Sequence, residues 1–311
     1  MKTCIQHISI KALMLFVLSS MAITLISCYG DGIDPDLEVE TVVSPFFGND
    51  AVSVDKFGNI YVSEFGQFAG ANGNGTRVFK ISKNGDVTEF ASNLTGPLGN
   101  AIDQQGNLFV VNSSGGGSGE ILKITPDGTQ TVVATISGFP SGLTLDHDNN
   151  LYVSNFGTPT VHKVTTEGEV TVYASDPKLA GGVGIDFDRK GNLIVGNFAT
   201  ADILSIDPKG NVSLITTITD AVVNGFGIGY ITVVRNTIFA TGIGVNKIFK
   251  ISMDGTTEEF AGTGDAAQTD GLLKEASFNG PNGITSDPYH TAMYISEFGG
   301  TGGVRKIKFY G

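Results

Sequence analysis

The chain has 311 residues, two cysteines, no tryptophan and a net charge of −12. Such acidity disfavours nucleic acid and anionic bilayers as charge-driven partners and leaves cations or neutral ligands as candidates. With Cys4 and Cys28 its only thiols, a zinc site built on several thiolates is excluded, and the length suits one large β domain behind a leader.

Lys2 and Lys11 flank a polar opening, and the apolar run from Ala12 to Leu25 is too short to span a bilayer comfortably. Residues 1–27 therefore read as a secretory signal. They carry two bases and no acid, so their removal leaves a chain two charges more negative and takes Cys4 away. Leu25-Ile26-Ser27-Cys28 resembles the lipobox of bacterial lipoproteins. The resemblance implies an acylated Cys28 as the new N-terminus, and multiple acyl chains give a stable membrane anchor where one would not. The expected address is extracytoplasmic, on the outer membrane of a bacterium, because Tyr29 stands where inner-membrane retention uses Asp. Residues 28–37 (CYGDGIDPDL) read as an acidic tether, and residues 38–311 as the folded domain.

Within that domain one unit recurs. In Gly142 to Ala174, an apolar run to Leu145 is followed by the turn Asp146-His-Asp-Asn149. Three further β-rich runs follow: Leu151–Ser154, Val161–Val164 and Val170–Ala174. Asp in the first turn can accept bonds from backbone N–H groups two residues on, and Gly or Asn near its end tolerates positive φ. The turn acids Asp55, Asp103, Asp146, Asp188 and Asp287 lie 48, 43, 42 and 99 residues apart. The last gap holds a sixth, degenerate copy, opened by Asn224-Gly225, with strand b at 236–241 and strand c at 245–251. Six copies of four strands predict an all-β, six-bladed β-propeller. The last copy has three strands, near 283–286, 292–296 and 304–309, and the head segment 38–45 resembles a fourth. Pairing them closes the ring and removes two open sheet edges.

Before the last copy stand Ala261-Gly-Thr-Gly-Asp265, Asp270-Gly271, Glu275-Ala-Ser-Phe-Asn279 and Pro281-Asn-Gly-Ile284. Together with Gly58-Asn-Ile-Tyr-Val62, Gly106-Asn-Leu-Phe-Val110 and Gly191-Asn-Leu-Ile-Val195, these resemble the NHL repeat family. Lysine mostly replaces the usual strand-c arginine. Propellers of the gluconolactonase and senescence-marker family look similar at this level, which argues for architecture more than activity.

A site is expected where strand a starts and strand b ends, at one mouth of the central tunnel. Five residues before each turn acid, the strand-a starts are Asp50, Leu98, Ser141, Val183 and Asn282, with Asn224 at the matching place in blade 5. The strand-b ends are Glu64, Asn112, Asn155, Asn197, Gly242 and Glu297. Blades 1 and 6 adjoin in a closed ring, so Asp50, Glu64, Asn282 and Glu297 form a candidate oxygen set for calcium. Ser141, Asn224, Asn112, Asn155 and Asn197 are candidate ligand-binding residues, although an Asn after a strand often only bonds turn backbone. Resemblance to gluconolactonases offers Asp50, Asn224 and Asn282 as metal-binding positions, whereas apolar Leu98 and Val183 depart from a polar ring. Phe65, Phe156, Phe198 and Phe298 each follow a strand-b polar residue. Their plain role is core packing between blades, and the functional alternative is an aromatic rim. His147 and His290 fall in turns at the opposite end, and His162 on strand c, so no histidine is placed for catalysis. These features favour a recognition platform for a protein, glycan or small ligand, with a calcium-dependent lactone hydrolase as the alternative.

Overall fold

The structure, a computed structural model, describes residues 37–70, 72–113 and 117–309. The signal segment, Cys28 and the tether up to residue 36 lie outside the described residues. Blade 1 consists of Val52–Val54, Ile60–Ser63, Val78–Ile81 and Val87–Ala91, and blade 2 of Asn100–Ile102, Leu108–Ser113, Ser118–Ile124 and Gln130–Ser137. Blade 3 follows with Pro140–Leu145, Leu151–Asn155, Thr160–Val164 and Val170–Ser175, and blade 4 with Gly182–Phe187, Leu193–Asn197, Asp202–Ile206 and Val212–Thr217. Blade 5 contains Ile228–Val234, Thr237–Gly242, Lys247–Ser252 and Thr257–Ala261. Every pairing in these sheets is antiparallel. The innermost strands of successive blades touch round the whole ring, which makes the domain an all-β, six-bladed propeller.

Blade 6 closes the ring as expected. Pro281–Ser286, Ala292–Glu297 and Gly303–Lys308 are joined by the head strand Glu38–Val43, with Val39 opposite Ile307 and Thr41 opposite Arg305. A short fifth strand, Gly271–Leu272, caps the head strand from the linker. Asp270 strengthens this clasp: its carboxylate accepts from the Thr41 hydroxyl at 2.8 Å and from Arg305 at 2.7 Å.

The turn recipe recurs as read. Asp55 Oδ1 accepts from Phe57 N and Asn59 N at 2.8 and 2.9 Å, and Gly58 has φ 83°. Asp103, Asp146, Asp188 and Asp287 make the same pair of backbone bonds, with Asn149 at φ 63° in blade 3. Strand b of blade 3 is buried throughout, whereas its outermost strand is largely exposed, because the inner strands of a blade are covered by neighbours on both faces. Apolar clusters lie between adjacent blades, such as Ile194, Ile203, Ile228, Ile231 and Ile238 between blades 4 and 5.

Hydroxyls on strand b peg blades 3, 5 and 6 to the next. Ser154 Oγ accepts from Gly142 N and donates to Val183 O at 2.6 Å; Thr241 and Ser296 do the same to Asn282 O and Asp50 O. These bonds set the starts of the inner strands, and so the geometry of one mouth. Blade 5 departs from the sequence expectation. Its strand a begins at Ile228, and Asn224 lies in an exposed loop before it at φ 53°. The missing Asp turn removed the marker that places strand a in the other blades; here the turn is Arg235-Asn236, with Arg235 at φ 59°.

Candidate functional site

The strand-a mouth is a cup of about 250 Å³ whose wall is predominantly phenylalanine. Phe156, Phe198 and Phe298 come from the residue after strand b and Phe65 from the second residue after it, while Phe139 and Phe226 precede strand a of blades 3 and 5. Phe68 arrives on a small hairpin, Phe68–Ala69 with Asn72–Gly73, in the loop between strands b and c of blade 1. Ring contacts run from Phe139 through Phe156, Phe198 and Phe226 to Phe68, with centroids 5.6 to 6.4 Å apart, and Phe68 then meets Phe65 and Phe298. Phe65 is buried and belongs to the core, but Phe156 is 42% and Phe68 56% exposed. The aromatic rim is therefore present, and core packing accounts only for its inner members. Phe139, Phe226 and Phe68 were not singled out from the sequence, because they sit in loops of unequal length outside the repeat.

Among the described residues one charged side chain lines the cup. Asp50 Oδ1 accepts from Tyr230 Oη at 2.6 Å and from Ala51 N at 2.9 Å, and Oδ2 accepts from Asn282 Nδ2 at 3.1 Å. Burial outweighs these three donors and pushes its carboxyl up to about 6. The same burial, and then the Asp50 charge, raise the Tyr230 hydroxyl well above its usual value. Tyr230 stands where blades 1, 2, 3, 4 and 6 place Ala51, Gly99, Gly142, Gly184 and Gly283. Its N–H bonds Thr241 Oγ1 just as those of Gly142 and Gly283 bond Ser154 and Ser296. One aromatic ring in a circle of small residues thus reaches into the tunnel, and Tyr230 lines both the cup and the cavity below it.

The calcium set does not assemble. Asp50 and Asn282 meet, but Glu64 and Glu297 are held elsewhere by arginines. Glu64 forms a two-pronged pair with Arg77, at 2.9 Å to Nε and 2.8 Å to Nη2. Glu297, fully buried, accepts from Asn279 N at 2.9 Å, Gln268 Nε2 at 2.6 Å and Arg305 Nη1 at 3.3 Å. Desolvation raises the Glu297 carboxyl despite these partners. A guanidinium beside each carboxylate repels a dication, and among the described residues no three His, Cys, Asp or Glu side chains gather to hold a metal. The residues present do not fit calcium. The missed signal was Arg77 and Arg305, each one strand across from the acid it neutralises.

The candidate asparagines fasten turns. Asn155 Oδ1 accepts from Phe139 N, Gly157 N and Thr158 N, while its Nδ2 donates to Ser137 O. Asn197 bonds Ala199 N, Thr200 N, Lys178 O and Ala180 O. Asn112 accepts from Thr95 N at 2.7 Å. With their amide oxygens accepting from loop backbone N–H groups, these three are scaffolding of the rim, and Asn224 is outside the cup. Ser141 lines it, with its hydroxyl donating to Phe139 O.

The opposite mouth is a polar cavity of about 460 Å³ bordered by the a–b turns, with His147, His290, Arg189 and Arg235 among its lining. Asp186 sits half-buried in its wall and accepts from Val233 N at 2.7 Å; burial pushes its carboxyl up to about 6. His162 lies on strand c, half-buried, and desolvation lowers its ionisation. No described histidine lines the phenylalanine cup.

The family model of the virginiamycin B lyases matches residues 62–279. A solved structure of a catalytically inactive histidine-to-alanine virginiamycin B lyase from Staphylococcus aureus, with quinupristin, is 17% identical. That match covers 88% of this chain and 99% of that one with a TM-score of 0.59. An auxiliary nutrient binding protein from Bacteroides thetaiotaomicron is 16% identical over 87% of this chain and 76% of that one, with a TM-score of 0.69. A gluconolactonase from Xanthomonas campestris is 13% identical over 88% and 90%, with a TM-score of 0.63. At such identities the likeness shows the fold alone. No curated protein matches the sequence significantly.

Proposed function

The chain belongs to the virginiamycin B lyase family, and from that premise we propose that it is a lipid-anchored, extracytoplasmic binding module. Its phenylalanine cup takes up a small, largely apolar ligand. The observation that carries this reading is the cup itself: a concave, pre-formed, mostly aromatic wall with a few convergent polar groups is the usual anatomy of a small-molecule site. A role as nutrient-binding protein, as named for the Bacteroides relative, agrees with it. The anchor rests on Cys28 and the lipobox-like sequence before it.

Two observations favour binding over catalysis. The S. aureus lyase is named as inactive once a histidine is replaced, and none of the described histidines here reaches the cup. The hydrolase reading would place calcium among Asp50, Glu64, Asn282 and Glu297, but Arg77 and Arg305 neutralise Glu64 and Glu297, and Asn224, which the gluconolactonase resemblance adds, is outside the cup. The test is a fluorescence titration with the neutral apolar dye N-phenyl-1-naphthylamine, using the full chain carrying Cys28→Ser so that no acyl group competes. Saturable binding that weakens about tenfold in Phe156→Ala, or ~1.4 kcal/mol, is expected. Absence of dye binding, or calcium binding abolished by Glu297→Gln, would return the case to the hydrolase.

A further inference from the structure

Resting on the binding reading above, the geometry points to a ligand that is an organic cation, an amphipathic amine whose ammonium meets Asp50 while its apolar body lies among the phenylalanines. Among the described residues Asp50 is the one charged group lining the cup, and it is 5% exposed. Its three donors, Tyr230, Ala51 and Asn282, are all neutral. Tyr230 is the other titratable group facing it, and no charged side chain acts on it. A buried carboxylate without a counter-ion is costly unless a cation is supplied, and here the opening that could supply one is the cup.

The other acids of blades 1 and 6 make the contrast. Glu64 and Glu297, on the same side of the ring, each carry an arginine, and Arg305 is fully buried to do so. The fold therefore provides guanidinium partners for its neighbours and leaves Asp50 alone. The wall suits the same charge: phenylalanine faces attract cations through the ring quadrupole, and more strongly when water is excluded. An anion would face both the carboxylate and the negative ring faces. A neutral alcohol would find a hydrogen bond to Asp50 and no charge compensation. Ser141, at the start of strand a in blade 3, adds a hydroxyl to the lining.

The test compares three probes of one shape: 2-phenylethylammonium, 2-phenylethanol and 3-phenylpropionate, each titrated calorimetrically into the full chain carrying Cys28→Ser. At pH 8 the ammonium should bind at least tenfold more tightly than the alcohol, and the carboxylate most weakly. The ratio of ammonium to alcohol affinity should collapse towards one in Asp50→Asn. It should also collapse in the unsubstituted cup as pH falls below about 6, where Asp50 takes up a proton; this second readout stands if the variant does not fold. Equal affinity for ammonium and alcohol at pH 8, or a preference for the carboxylate, overturns the cation assignment and leaves the apolar cup in place. Failure of all three to bind overturns both.

Discussion

The two mouths of the tunnel are made by the same repeat, yet one is lined largely by phenylalanine and the other by serine, threonine, aspartate and basic side chains among aliphatic ones. At the lower mouth each blade contributes an a–b turn, and the Asp turn recipe demands small polar residues there. At the upper mouth the contributions come from residues after strand b and from connections outside the turn recipe. The b–c hairpin carrying Phe68 and the d–a segments carrying Phe139 and Phe226 are unlike one another in length and sequence. Turn chemistry constrains one end and leaves the other free to vary. The free end is where a specific ligand site can be built without disturbing the blades.

Tyr230 is the partition between the mouths, and removing it should have the largest effect. Tyr230→Ala deletes a buried aromatic ring and one donor to Asp50, so urea unfolding should show a loss of about 3–5 kcal/mol. Tyr230→Phe, which keeps the ring, should retain more than half of that. If both variants cost the same, the hydroxyl rather than the ring separates the cavities.

A smaller effect distinguishes the charge in the upper mouth. The folded Asp50 carboxyl holds its proton up to about 6, whereas the unfolded chain releases it near 3.8. Between those values the native state binds more protons. The contribution of Asp50 is therefore fully present below pH 3.8, falls as pH rises through the window, and stays flat above about 6. The stability of the wild type minus that of Asp50→Asn should thus decline by about 2 kcal/mol from pH 4 to pH 7 in denaturant titrations. A difference that does not change with pH would mean that Asp50 is solvated.

The smallest expected effect is at the lower rim. Phe57 and Tyr289 are 68% and 70% exposed on the a–b turns of blades 1 and 6. Replacing either by Ala should change stability by less than about 0.5 kcal/mol and leave apolar dye affinity unaltered. Loss of dye binding in these variants would place the ligand at the wrong end and dissolve the contrast between the mouths.

Most of the architecture was legible in the chain because its determinants are local. Turn acids at Asp55, Asp103, Asp146, Asp188 and Asp287 bond N–H groups two and four residues away, so spacing alone counts the blades and phases their strands. Closure by Glu38–Val43 was legible as well, since a blade of three strands leaves an edge that the spare head strand fits. Blade 5 was misphased by several residues where that local marker is missing, which moved Asn224 into the place that Gly229 occupies.

The site was decided by contacts between blades, for which the sequence carries no spacing. Asp50 and Asn282 are 232 residues apart and meet only when the ring closes. Glu64 and Glu297 were recognisable as acids at strand ends, but whether each faces a ligand or an arginine depends on the side chain one strand across, and Arg77 and Arg305 settled it. The aromatic character of Phe65, Phe156, Phe198 and Phe298 was visible at a repeated position. Their convergence with Phe68, Phe139 and Phe226 into one cup required the tunnel, because rings from five different blades come together only at its mouth. Sequence periodicity determined the blades, their number and their polar lower turns; ring closure decided which acids at the upper mouth are neutralised, that Asp50 is buried there without a counter-ion, and what surrounds it.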